Sequence, residues 1–187
     1  MTQNKDSQAA TVVLDAAKIH ERIKEMARQI SNDYRGHTLY AVGVLEDGFI
    51  FMADLVRELD VPVICQFVKP EHRDVTQGTV TTTEIFFSPE VRVENCSVLL
   101  VQGIVETGIT TEFLMRNLFA RGAKTVKVAT LLDRQSARRI ALAPDYFGFQ
   151  VDDRFMFGYG LGSPHLRRNL PYVATSGAAA ASPDSGR

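Results

Sequence analysis

The chain has 187 residues, 45% apolar and 23% charged, with a formal net charge of −1. That length suits one domain with a full core, and the charge balance excludes a general polyanion binder, which would carry a basic excess. One small phosphorylated ligand remains possible, whereas nucleic acid and membrane partners are not expected.

The N-terminal stretch "MTQNKDSQAA" is polar, and no apolar run approaches the ~20 residues of a membrane span, so a cytoplasmic protein is expected. Residues 15–32 read as an amphipathic helix, with Asp15 as N-cap and Ile19, Ile23, Met26 and Ile30 on one face. "LYAVGVL" (39–45) has the near-continuous apolar character of a strand covered on both sides. "EDG" follows, then a helix that places Phe49, Met52, Leu55, Val56 and Leu59 on one side. "VPVICQFV" (61–68) is a second strand. The polar stretch 69–78 lacks periodicity and reads as a long mobile loop, and "TVTTTEIFF" (79–87) has strand composition. "SVLLV" (97–101) is a buried strand leading into a loop at 102–110. A helix at about 110–121 ends at Arg121–Gly122. "TVKVATLL" (125–132) and "DYFGFQV" (145–151) are further strands. Residues 1–11 and 174–187 read as disordered tails around a single domain, 12–173. Cys65 and Cys96 lie in apolar surroundings without CxxC spacing and are expected as buried free thiols. The four histidines are scattered and form no metal-ligand pattern.

Strands alternating with helices imply an α/β fold, a doubly wound and mainly parallel sheet with helices on both faces. Ligands in such sheets sit beyond the carboxyl ends of the strands. The loops at 46–48, 102–110 and 133–138 should therefore line one crevice. In the middle loop, Thr107, Gly108 and Thr110 put small and hydroxyl side chains at a helix start. Free backbone N–H groups and the helix dipole there favour an anion. A Walker lysine is absent, and "GYGLG" (158–162) is not a strand-to-helix GxGxxG.

Six segments in order resemble the hypoxanthine-guanine phosphoribosyltransferases: "RIKEMARQISNDYRG", "VGVLEDGFIFMADLVREL", "VLLVQGIVETGIT", "RGAKTVKVATLLDRQSARR", "PDYFGFQVDDRFMFGYGL" and "RNLPY". The resemblance implies a type I phosphoribosyltransferase-like fold with a small C-terminal hood. It also implies synthesis of a purine nucleotide from a purine base and phosphoribosyl pyrophosphate with Mg²⁺, in a homo-dimer or tetramer. Thr107, Gly108, Ile109 and Thr110 match the family's 5′-phosphate cradle, and Glu106 stands where the family has an aspartate acting as general base at purine N7. Tyr146, with Phe147 beside it, stands for the aromatic that stacks on the purine. Arg134 replaces a lysine that donates to the purine 6-oxo group, Asp153 matches a Mg²⁺-linked aspartate, and Arg138 matches an arginine on the pyrophosphate side.

Several positions depart from the family pattern. The acidic pair that holds the ribose hydroxyls and supports Mg²⁺ is Gln102–Gly103 here. The pyrophosphate loop, which resembles LKGS in the family, is Leu45, Glu46, Asp47 and Gly48. The 67–83 stretch lacks the family's Ser-Tyr lid pair, and Gly162–Ser163 replaces Asp-Tyr. Two readings follow. One is an active purine phosphoribosyltransferase in purine salvage. The other is a non-catalytic protein of the same fold that binds a purine mononucleotide as a regulator or partner subunit.

Overall fold

A computed structural model describes residues 10–77, 80–86, 91–162 and 167–176. Asp15 caps α1 (Ala16–Asp33) by accepting a hydrogen bond from the Lys18 amide at 2.8 Å, a contact worth ~0.5–2 kcal/mol in such positions. Ile19, Ile23, Met26 and Ile30 form the buried face, as their spacing predicts. In chain order the strands are β1 (Ala10–Leu14), β2 (Leu39–Val44), β3 (Val63–Val68), β4 (Glu71–Gln77), β5 (Val80–Phe86), β6 (Ser97–Val105), β7 (Thr125–Asp133), β8 (Tyr146–Gln150), β9 (Met156–Phe157) and β10 (Val173–Ser176). Helices α2 (Phe49–Glu58) and α3 (Ile109–Ala120) complete the set, with a 3-10 turn at Gln135–Ala137.

Five strands form one parallel sheet in the order β3-β2-β6-β7-β8. α1 and α2 contribute to the core on one side, with Ile23, Phe51 and Leu55 packed in the same cluster as Leu99 and Leu131. On the other side Leu114 and Leu118 of α3 pack with Val98 and Leu100. Burial of each such side chain is worth ~1.5–3 kcal/mol. The doubly wound α/β architecture is therefore observed. A smaller sheet, β1-β10-β9, forms a hood from both ends of the described chain, with Ala10 opposite Ser176.

Several elements differ from the sequence reading. β6 runs to Val105, because β7 supplies a ladder partner for Gln102, Ile104 and Val105; the loop is thus shorter than 102–110. Residues 71–77 form a strand paired with β5 rather than a loop. Residues 10–11 and 174–176, expected in tails, belong to the hood. In α2 the buried residues are Phe51, Met52 and Leu55, while Phe49 is exposed. Cys65 is exposed and Cys96 half-buried, so the thiols are free but not both buried. Residues 1–9, 177–187 and Ser163 lie outside the described residues. Among the described residues no helix is long and apolar enough to cross a membrane.

Candidate active site

β6 delivers the chain into the tight turn Glu106–Gly108. Gly108 has φ +84°, a left-handed conformation that suits glycine. A Cβ there would stand 2.9 Å from Ile140 Cγ1 and 3.3 Å from Arg138 Cδ, so the position is closed sterically as well. α3 starts immediately after it with no side-chain N-cap. The Ile109 amide reaches Thr107 Oγ1 at 3.3 Å, and the first helical bond runs from the Glu112 amide to the Gly108 carbonyl at 2.8 Å. The amides of the first turn are thus left for an anion, with the helix dipole behind them. This turn lines a cavity of about 330 Å³ together with Val44, Leu45, Asp47, Pro70, Gln102 and Gly103. The three loops expected in one crevice do meet: Asp47, Ile104 and Glu106 also line a second cavity of about 100 Å³, shared with Arg134, Phe155, Met156, Leu161 and Gly162.

Arg134 is the organiser of the second cavity. Its Nε donates to the Asp152 carbonyl at 2.8 Å and its NH2 group to the Arg154 carbonyl at 2.7 Å, while NH1 donates to Glu106. A guanidinium has five N–H donors, so two remain for a ligand. Glu106 is held by this arginine at the junction of the cavities. Arg138 pairs with Asp133, whose side chain is only 1% exposed. A carboxylate so buried requires a cation, and the Arg138 side chain also lies against the Gly108 turn.

Tyr146 does not face the crevice. It is the first residue of β8 but pairs with Ala129, mid-strand in β7, and its side chain is turned towards Lys127 near the amino end of that strand. Its hydroxyl donates to Asp33 Oδ2 at 2.6 Å and accepts from Lys127 Nζ at 3.0 Å. Burial, reinforced by Asp33, pushes its pKa up. Phe147 pairs with Thr130, itself opposite Gln102, and its carbonyl accepts from Arg22 at 2.8 Å. Neither residue lines either cavity, against the purine contact expected of them. Phe155 does: it stands just beyond the carboxyl end of β8, is 36% exposed, and lines the second cavity with Arg134. Asp153 is exposed, accepts a hydrogen bond from Ser136 Oγ, and lines neither cavity.

In the first cavity, Gln102 is 6% exposed and its Oε1 accepts from Thr111 Oγ1 at 2.8 Å. Gly103 lies against the 45–48 loop. A Cβ there would be 2.8 Å from the Asp47 carbonyl carbon, closer still to its oxygen, and 2.9 Å from Leu161 Cδ2. The two acids of that loop do not face the cavity unpaired. Asp47 accepts a hydrogen bond from NH1 of Arg168, and Glu46 pairs with Lys69 at 3.2 Å and with Arg168 at 3.6 Å. Sequence pattern does not reveal either cation, since each partner lies more than 20 positions away.

A family model for the phosphoribosyl transferase domain matches residues 10–164. The hypoxanthine-guanine phosphoribosyltransferase of Bacillus subtilis is 31% identical over 167 residues, covering 87% of this chain and 90% of that protein. This chain belongs to the hypoxanthine-guanine phosphoribosyltransferase family. The bifunctional protein TilS/HprT of Listeria innocua is 34% identical over 167 residues, 87% of this chain; the match spans only 25% of that longer protein. A crystal structure of a hypoxanthine-guanine phosphoribosyltransferase from Bacillus anthracis superposes with a TM-score of 0.77 at 30% identity, covering 88% of this chain and 96% of that one.

As a member of this family the chain would be expected to work with Mg²⁺, so its donor set matters. Among the described residues, no three His, Cys, Asp or Glu side chains come together. Gln102 and Gly103 supply no carboxylate. Of the carboxylates lining the cavities, Asp47 is engaged by Arg168 and Glu106 by Arg134; outside them Asp133 is held by Arg138 and Asp153 by Ser136. These residues do not fit a protein-held Mg²⁺.

Proposed function

We propose that this chain is a purine phosphoribosyltransferase that condenses hypoxanthine or guanine with phosphoribosyl pyrophosphate, giving IMP or GMP and pyrophosphate. The carrying observation is the pair of cavities joined at Glu106: one ends in the uncapped α3 amides, the other carries Arg134 and Phe155. A 5′-phosphate occupies the first and the purine the second, which brings the ribose carbon and the base nitrogen together beside Glu106. Phe155 stacks on the base, Arg134 donates to its 6-oxo group, and the Glu106 carboxylate takes the proton from the purine ring nitrogen. Holding both reactants in one geometry removes an entropic part of the barrier. We further propose a homo-oligomer, supported by the exposed Ile64 and Phe67 on the edge strand β3 and by Phe49 at the start of α2.

The test is an initial-rate assay with each base, following nucleotide formation. Phe155→Ala should raise KM for the base about tenfold or more, since base–aromatic stacking is worth ~1–3 kcal/mol. An unchanged KM would remove Phe155 from the purine site.

The loss of the acidic pair at Gln102–Gly103 favours a second reading, a non-catalytic protein that binds a purine mononucleotide as a regulator or partner subunit. Calorimetric binding of IMP or GMP without turnover would support it. Thr110→Ala should then weaken the mononucleotide by several-fold, and an unaltered affinity would remove that hydroxyl from the phosphate site.

A further inference from the structure

Asp47 lines the first cavity and is joined through Arg168 to Glu46 and Lys69, which neighbour the lining residues Leu45 and Pro70, so the rim there carries two carboxylates and two cations. NH1 of Arg168 donates both to the Gly160 carbonyl, at 2.6 Å, and to Asp47. Its Nε is buried without a hydrogen-bond partner. The arginine is therefore only partly satisfied where it stands, a condition under which an alternative acceptor competes well. Asp47 is fixed in turn. Its backbone carbonyl lies in a space that exists because residues 103 and 160 have no Cβ; an added Cβ at Gly160 would be 3.0 Å from the Asp47 oxygen.

We propose that Asp47 is an internal competitor for Arg168: its carboxylate occupies the guanidinium that a second phosphate group entering the cavity would need, and so sets the site's preference for a monophosphate over a diphosphate. This deepens the mononucleotide part of the function proposed above and rests on that reading only for where the first phosphate sits. With both acids ionised, the rim presents no net charge to an incoming anion. Neutralising Asp47 leaves one excess cation, and neutralising both acids leaves two.

Arg168 is 21% exposed and Asp47 46%, so solvent screens the pair in part and the effect is a moderate one. Freeing one such cation should tighten a diphosphate on the order of tenfold. Asp47→Asn keeps the side-chain shape and leaves the backbone seat between Gly103 and Gly160 intact, so the gain reports charge.

The experiment is calorimetric titration of the full chain with inorganic pyrophosphate and with IMP, in the wild type, Asp47→Asn, Arg168→Gln and the double variant, at two salt concentrations. The ratio of pyrophosphate to IMP dissociation constants should fall about tenfold in Asp47→Asn, less at high salt. In the Arg168→Gln background the same change at Asp47 should have little effect on that ratio, because the freed cation is gone. A ratio unchanged by Asp47→Asn overturns the proposal, as does an equal gain with and without Arg168. Absence of IMP binding in the wild type would instead count against the 5′-phosphate assignment; the pyrophosphate constants alone, compared across the four proteins, would still decide the role of Asp47.

Discussion

Gly103→Ala isolates one contact. Gly103 does not have a positive φ, so its backbone conformation is open to alanine. In a strand, removing a glycine would ordinarily be neutral or stabilising by ~0.4–1 kcal/mol through the unfolded chain. The structure reverses that sign. The new Cβ would stand 2.8 Å from the Asp47 carbonyl carbon and 2.9 Å from Leu161 Cδ2. A carbon normally needs well over 3 Å from each, so β6 or the 45–48 loop must give by several tenths of an ångström. Overpacking of this kind costs ~1–3 kcal/mol. In a chain of this size that lowers Tm by ~2–12 °C. Urea and thermal melts of the two proteins measure the difference directly. An alanine variant as stable as the wild type, within about 0.5 kcal/mol, would refute the close packing of strand and loop. The same reasoning bears on Gly103→Asp: restoring the family's acid alone should not restore a family-like ribose site, because the loop carbonyl occupies the space that side chain would enter.

Glu106→Gln should lower turnover ~10²–10⁴-fold, the range for general acid–base catalysis, with IMP affinity changed far less; equal turnover in the two proteins would remove Glu106 as the base. Tyr34→Phe should be neutral or stabilising, because the Tyr34 hydroxyl is buried without a partner and burial pushes its pKa up to about 12; a loss above about 1 kcal/mol in urea melts would show that the hydroxyl is bonded. The hydrogen bonds from Tyr146 and Lys127 hold the Asp33 carboxyl below its ordinary 3.8. A depressed carboxyl contributes stability above its unfolded pKa and loses it as pH falls through the folded value. Asp33→Asn should therefore be less stable than wild type at pH 7 and converge with it under strongly acid conditions; a pH-independent difference would contradict the ion pair.

The helices and the five parallel strands were legible because their apolar periodicity survives in the sequence. α1 follows from four apolar residues and an aspartate cap. The end of β6 was not legible: Gln102–Gly103 look like loop residues, and only the ladder offered by β7 continues the strand. The phosphate turn was readable from Thr107–Gly108, whose geometry is local. The side-chain direction of Tyr146 was not legible, since an aromatic in a motif does not announce that its hydroxyl will turn to Asp33 and Lys127. A signal was nevertheless available. Ligands in such sheets lie past the carboxyl ends of strands, and the first aromatic after β8 is Phe155. Partners of Glu46 and Asp47 were hidden for another reason: Lys69 and Arg168 reach them only through the folded chain.

The pairing of Ala10 with Ser176 joins positions 166 residues apart, whereas Leu39 and Val63 in the central sheet are 24 apart. Loop closure alone makes the longer contact costlier by about 1.7 kcal/mol. The hood should therefore be the last part to assemble. During synthesis β1 emerges well before its partner β10. Arg168 precedes β10 by only five positions. The sheet and the phosphate turn can thus form before the arginine is in place, and the contacts of Asp47 with it are completed only when the hood closes.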